Sequence, residues 1–375
     1  MTISNESSFN RSPLYSAQEE MNARFVQAHG WEMAQSYADP RYESRQVREA
    51  VGLIDLSHHG AIKIGGKEAV QFLNGLVTND VKRLDKGKGL RAAFLTGHGK
   101  VKALCRILGL GDEYLIINDP QTHEKIFKYV FPFSYAGDFK VEDVSDQYRL
   151  LSVQGPKSLL VMKEVCFEPA HSLEDNEWIE NIIAGQHVLI ARNSHTGEIG
   201  FDVFIPASGL RDVWEFILMK GSFHSIAPFG LEALNILRIE AGIPAYGVDI
   251  DESNMMLETG LSDAVSFTKG CYTGQEAVAM ATYRGHVSKK LSGLVMLEDK
   301  IPSPGDTISK DGKEIGQITS ALKSDILGEI IALAYVKYGY FDQGNIVQVK
   351  SEYSTQTAKV AELPFYTSVD SNKVK

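Results

Sequence analysis

Residues 291–297, LSGLVML, are the first of five short strand-like runs that occupy the end of the chain. The others are 307–309, 314–321, 329–336 and 346–349, and turns at Pro302, Pro304-Gly305-Asp306 and Asp311-Gly312 separate them. Short strands broken by Gly, Pro and Asp turns are the pattern of a small antiparallel β-barrel. A domain boundary therefore falls near residue 290. Toward the N-terminus the texture is different. Runs 61–64, 92–95, 101–109 and 113–118 read as strands, and so do 148–154, 188–192 and 200–205. Val70, Leu73 and Leu76 recur at helical spacing within 66–79. Segments 16–29, 44–51, 120–130, 155–165, 210–220 and 230–241 also suit helices. Strands and helices mix without a regular βαβ alternation, which predicts an α+β fold rather than a doubly wound sheet. The expected division is a polar tail and helix (1–44), two subdomains (45–145 and 146–290), a C-terminal antiparallel β-barrel (291–366) and a tail (367–375).

The bulk composition narrows the function. A chain of 375 residues with 43% hydrophobic and 23% charged residues is long enough for two or three packed units. The formal net charge of -10 repels phosphate backbones, so no nucleic-acid partner is expected. No apolar run approaches the ~20 residues that span a bilayer, so no membrane partner is expected. The opening MTISNESSFNRSPLYS has no apolar core of a secretory signal. Cys105, Cys166 and Cys271 are too few and too scattered for a disulfide framework or a zinc site. A reducing, cytoplasmic setting and no metal are the resulting expectations.

Four segments carry candidate chemistry. Lys269-Gly270-Cys271-Tyr272-Thr273-Gly274-Gln275-Glu276 places a thiol between two glycines, ahead of a helix-compatible run. A nearby lysine and a helix N-terminus both favour a thiolate; the alternative is a buried, inert cysteine in a tight turn. Thr196-Gly197-Glu198 sits between two strand-like runs, and a carboxylate there accepts two hydrogen bonds from an amidine-like edge such as that of a pterin. A solvated hairpin glutamate is the alternative. Arg238, in Arg238-Ile239-Glu240-Ala241-Gly242, pairs either with an anionic ligand or with a nearby carboxylate. Ser57-His58-His59 invites a metal reading, but chain neighbours point apart on a strand and no further ligand stands at a suitable spacing. The basic run Tyr283-Arg284-Gly285-His286 reads either as an anion site or as a solvated linker.

Several stretches resemble the glycine-cleavage T-protein (aminomethyltransferase) superfamily: VREAVGLIDLSH (47–58), FLNGLVTNDV (72–81), LSVQGP (151–156), Thr196-Gly197-Glu198, LRIEAGIPAYG (237–247), ALAYV (332–336) and the closing Pro364-Phe365-Tyr366. Together they span nearly the whole chain. The resemblance implies aminomethyltransferase-like domains around a central pocket that binds tetrahydrofolate. By the same carry-over, Glu198 holds the pterin, Asn118 lines the folate pocket and Arg238 lies in the family's LR-E stretch.

The departures point to a branch. T-proteins place two aspartates after a glycine turn, whereas this chain reads Gly99-Lys100-Val101-Lys102-Ala103-Leu104-Cys105, with Ala103 and Leu104 in their place. Leu234 stands where an upstream arginine is expected. The run KGCYTGQE is similar to the hallmark of the YgfZ-type folate-binding proteins. That similarity implies support of iron–sulfur cluster assembly or repair, with assembly proteins or client enzymes as partners. It makes Cys271 the chemical residue, with Lys269, Gly270, Tyr272, Gly274 and Gln275 around it at the cofactor. The alternative is a folate-dependent aminomethyltransferase or demethylase acting on a small amine or sulfonium donor.

Overall fold

The computed structural model describes residues 9–368 apart from 136, 284 and 353. Residues 1–8 of the expected N-terminal tail, residues 369–375 of the C-terminal tail and Arg284 lie outside the described residues. The architecture is α+β with a C-terminal barrel, as the strand pattern predicted. Among the described residues four sheets form. A small three-stranded sheet stands at the N-terminus. A five-stranded sheet runs in the order Gly89–Leu95, Val101–Gly109, Glu113–Asn118, Gly60–Gly65, Lys140–Asp143. A six-stranded sheet runs Trp178–Ile183, Gln186–Arg192, Gly200–Pro206, Tyr148–Gln154, Val51–Asp55, Ile226–Pro228. Six strands close the barrel.

The two larger sheets interlock. Strand Val51–Asp55 precedes the first sheet in sequence, yet it pairs antiparallel with Tyr148–Gln154 in the second. Its five residues are all buried, which is why Val51–Ile54 read as a continuous apolar run rather than an alternating one. Leu53, Val153, Phe201 and Trp214 share one core. Burying a large apolar side chain fully is worth about 1.5–3 kcal/mol.

Two local expectations change. The helix expected over 16–29 is only Tyr15–Glu20, and Arg24–Ala28 is a strand paired with Trp31–Ser36. Asn22 takes a positive φ of 61°, a left-handed conformation that ends a helix. The barrel has a sixth strand, Thr355–Ala361. Gln356, Ala358 and Val360 turn inward there, and the polar Gln356 at an inward position hides the alternation from a composition-based reading. Helix Pro40–Glu49 starts where the chemistry favours it: Pro40 occupies its first turn and the Asp39 carboxylate accepts from Arg41 N at 2.8 Å.

Arg48 ties the parts together. Its buried guanidinium donates to Glu198 Oε1 and Glu240 Oε2, each at 3.0 Å, and to the carbonyls of Thr196 and Leu237. The Tyr366 ring stacks on it at 4.0 Å. Glu240 Oε1 accepts from Ser324 Oγ of the barrel at 2.7 Å. Each buried charge therefore has an opposite charge or a hydrogen-bond partner, as burial requires.

Candidate active site

A cavity of about 270 Å³ opens where the five- and six-stranded sheets meet, lined by residues from both. Its walls are apolar at Leu56, Leu104, Ile117, Leu150, Leu234 and Leu261. A few polar groups converge on it, the usual arrangement of a small-molecule site.

Asn118 ends strand Glu113–Asn118 and is 1% exposed. Its Nδ2 lies 3.4 Å from His123 Nδ1, but its Oδ1 has no partner. Leaving a buried acceptor unpaired costs about 1–3 kcal/mol, so this oxygen is a ready acceptor for a ligand N–H. Asp119 follows it, and Asp119 Oδ1 stands 3.8 Å from His59 Nε2. Burial pushes the Asp119 carboxyl up and holds the His59 imidazolium down.

A second polar group faces them. Asp202 lies on strand Gly200–Pro206, directly across from Ser152. Its Oδ1 accepts from Ser152 Oγ at 2.7 Å and meets His195 Nε2 at 2.9 Å. Its Oδ2 accepts from Asn193 Nδ2 at 2.7 Å and Arg106 at 3.3 Å. Burial alone would raise the Asp202 carboxyl, but His195, Arg106 and Ser152 outweigh it and hold the group well below the usual carboxylate range. Burial brings the Arg106 guanidinium down to about 10, with Asp202 opposing.

The expected site residues divide. Asn118 and Arg238 line the cavity. Arg238 is committed on every nitrogen, to Asn235, Asp249 and Ser320, so it braces the wall against the barrel. Glu198 is buried beside Arg48, outside the cavity lining. The whole run Lys269–Gln275 is also outside that lining. Lys269 Nζ donates at 2.7 Å to the carbonyls of Asn74, Val77 and Asn79. It thereby satisfies the Asn74 and Val77 carbonyls at the end of helix Ala69–Leu76 and the Asn79 carbonyl in the turn after it. Burial brings its ammonium down to about 8. Tyr272 packs with Ala93, Leu95 and Val101. Gly274, at φ 84°, passes so close to the Thr96 carbonyl that a Cβ would meet it at 2.6 Å. Gly270 has open space around it, and Gln275 begins helix Gln275–Tyr283. Cys271 is exposed between these anchors.

Sequence reasoning missed Asp119, His195, Asp202 and Arg106. One signal was available: Asp202 is the lone charge in the otherwise apolar strand GFDVFIP. His59 was seen, but only as a metal candidate.

The GCVT N-terminal domain family matches residues 14–269, and the glycine cleavage T-protein C-terminal barrel domain family matches 289–367. The chain belongs to the glycine cleavage T-protein (aminomethyltransferase) family. An aminomethyltransferase of Halothermothrix orenii is 33% identical over 95% of this chain and 99% of its own length. One from Bacillus subtilis is 30% identical over 95% and 99%. The glycine cleavage system aminomethyltransferase T of Bartonella henselae shares the fold with a TM-score of 0.88, at 24% identity over 96% of this chain and 99% of its own.

These relatives overturn the expected role in iron–sulfur cluster assembly or repair, because full-length similarity runs to aminomethyltransferases. The packing is consistent with that correction. In KGCYTGQE, Lys269 caps a helix, Tyr272 fills a core and Gly274 permits a close approach, so much of the motif serves the fold. Tetrahydrofolate is the one-carbon acceptor of aminomethyltransferases. The cavity fits it: the apolar walls suit a flat ring system, and Asn118 Oδ1 lacks the donor that a pterin edge provides. No helix among the described residues is long and apolar enough to cross a membrane.

Proposed function

We propose that this chain is a folate-dependent one-carbon transferase that takes an aminomethyl or methyl group from a small amine donor in the central cavity. The observation that carries the reading is the unpartnered Asn118 Oδ1 in an apolar cavity, on a chain similar over its whole length to aminomethyltransferases. Bound tetrahydrofolate supplies the nitrogen that receives the one-carbon unit. Asn118 accepts from an N–H of the pterin and fixes the ring's orientation. Leu56, Leu104 and Leu261 exclude water, which strengthens every electrostatic contact inside. Arg238 keeps that wall in place through Asp249, and Glu198 acts through Arg48 to hold the loop that carries His195.

The wall also shows where this chain differs from T-proteins. Leu104 faces the cavity and Ala103 faces the core, so strand Val101–Gly109 brings no carboxylate to the site. The carboxylates on the cavity wall are instead Asp119 and Asp202.

Calorimetric titration with tetrahydrofolate tests the reading, together with an assay for methylene- or methyl-tetrahydrofolate formed from a set of small amine donors. Saturable binding and product formation are expected. A wild-type protein that binds no tetrahydrofolate would refute it.

A further inference from the structure

A one-carbon transfer between two amines moves protons as well as carbon. The nitrogen that gains the C–N bond gives up a proton. The C–N bond to the donor breaks, its electron pair stays on the departing amine, and that amine takes a proton. No oxidant or reductant enters the balance. Some group in the cavity must accept and return that proton, and Leu104 cannot.

We infer that His195, oriented by Asp202, is this proton-transfer group. The inference rests on the transferase reading above. Its basis is the geometry around the two rings that face the cavity. His195 Nε2 lies 2.9 Å from Asp202 Oδ1. Asp202 accepts from Ser152, Asn193 and Arg106 as well, so it is held as a carboxylate and requires a proton on Nε2. Asn193 Nδ2 also lies 3.0 Å from Nε2, but it has Asp202 Oδ2 to donate to at 2.7 Å. The His195 backbone N–H donates to Gln154 Oε1 at 3.0 Å, which anchors the loop. With Nε2 protonated, Nδ1 keeps its lone pair, and no partner for Nδ1 occurs among the described residues. The side chain remains 23% exposed and lines the cavity. An acid–base histidine has this arrangement: one nitrogen oriented by a carboxylate, the other free.

The other ring is not equivalent. His59 Nδ1 lies 3.2 Å from the Leu56 carbonyl, but its Nε2 stands 3.8 Å from Asp119 Oδ1, beyond hydrogen-bond distance, so no carboxylate orients this ring as Asp202 orients His195. The charged and titratable groups around His195 are Asp202, Arg106, His59 and Asp119, with Arg91 and Arg238 further along the cavity wall.

The test has two arms on the full-length protein. Nitrogen-15 NMR of the histidine side chains in the free protein reads the tautomer. Nε2–H with an unprotonated Nδ1 is expected for His195 in wild type, and a loss of that preference in Asp202→Asn. A dominant Nδ1–H form in wild type overturns the inference. The second arm compares wild type with His195→Ala and His195→Gln. Tetrahydrofolate affinity is expected within about threefold of wild type, kcat about 100-fold lower or more, with partial rescue of His195→Ala by added imidazole. Wild-type transfer matched by both variants would overturn the role of His195 and leave the transferase reading intact. Absence of transfer in wild type would instead refute that reading.

Discussion

Arg48 and Glu198 form a buried ion pair, 3.0 Å from Nη1 to Oε1, between helix Pro40–Glu49 and the loop before strand Gly200–Pro206. Glu240 completes it on the other side of the guanidinium. Removing the arginine leaves two carboxylates buried without a cation. Arg48→Met is therefore expected to destabilise the fold by about 3–5 kcal/mol, measured by urea unfolding. A loss below about 1 kcal/mol would show that the cluster is not what joins the barrel to the sheets.

Lys269 supplies a pH signature. Its ammonium is brought down to about 8 in the folded chain from an ordinary 10.5. Between these values the unfolded state holds a proton that the folded state has released. Stability attributable to this group therefore rises as pH increases through that window. The difference in unfolding free energy between wild type and Lys269→Met is expected to shift in favour of wild type from pH 8 to 10.5. A flat difference would place the ammonium in a more solvated setting than its burial indicates.

Gly274 meets both limits on a side chain at once: a φ of 84°, and a Cβ position 2.6 Å from the Thr96 carbonyl oxygen. Gly274→Ala is expected to cost about 1–3 kcal/mol, read as a lower Tm. Gly270→Ala serves as the control, since open space surrounds that position. Equal losses in the two variants would count against the close-approach argument.

Asn118 is expected to separate stability from binding. Its Oδ1 is buried and unpaired, so Asn118→Leu is expected to leave the unfolding free energy unchanged or slightly higher. The same variant is expected to weaken tetrahydrofolate binding at least tenfold, about 1.4 kcal/mol. Wild-type affinity in this variant would remove Asn118 from the site.

Some of this was legible along the chain. The barrel declares itself because alternation and turn residues act over a few neighbours, and period-2 patterning needs no distant partner. Its last strand was hidden because Gln356 points inward where an apolar residue is the usual signal. KGCYTGQE stood out as a motif, but its glycines and lysine were legible only as a possibility of chemistry. Their packing against Thr96 and the carbonyls of Asn74, Val77 and Asn79 was not.

The sequence by itself determined the α+β class, the C-terminal barrel and the folate-binding kinship, since each resides in local runs or in their order. Only the tertiary structure decided the site. His59, Asp119 and the His195–Asp202 pair come from three separate stretches, and strand Val51–Asp55 must cross into the second sheet before they can meet. Their roles also follow from surroundings rather than identity. Asp119 and Asp202 are the same side chain, yet burial raises one while His195, Arg106 and Ser152 lower the other. A carboxylate's charge depends on which dipoles and cations face it, and that is set by the packing of the two sheets.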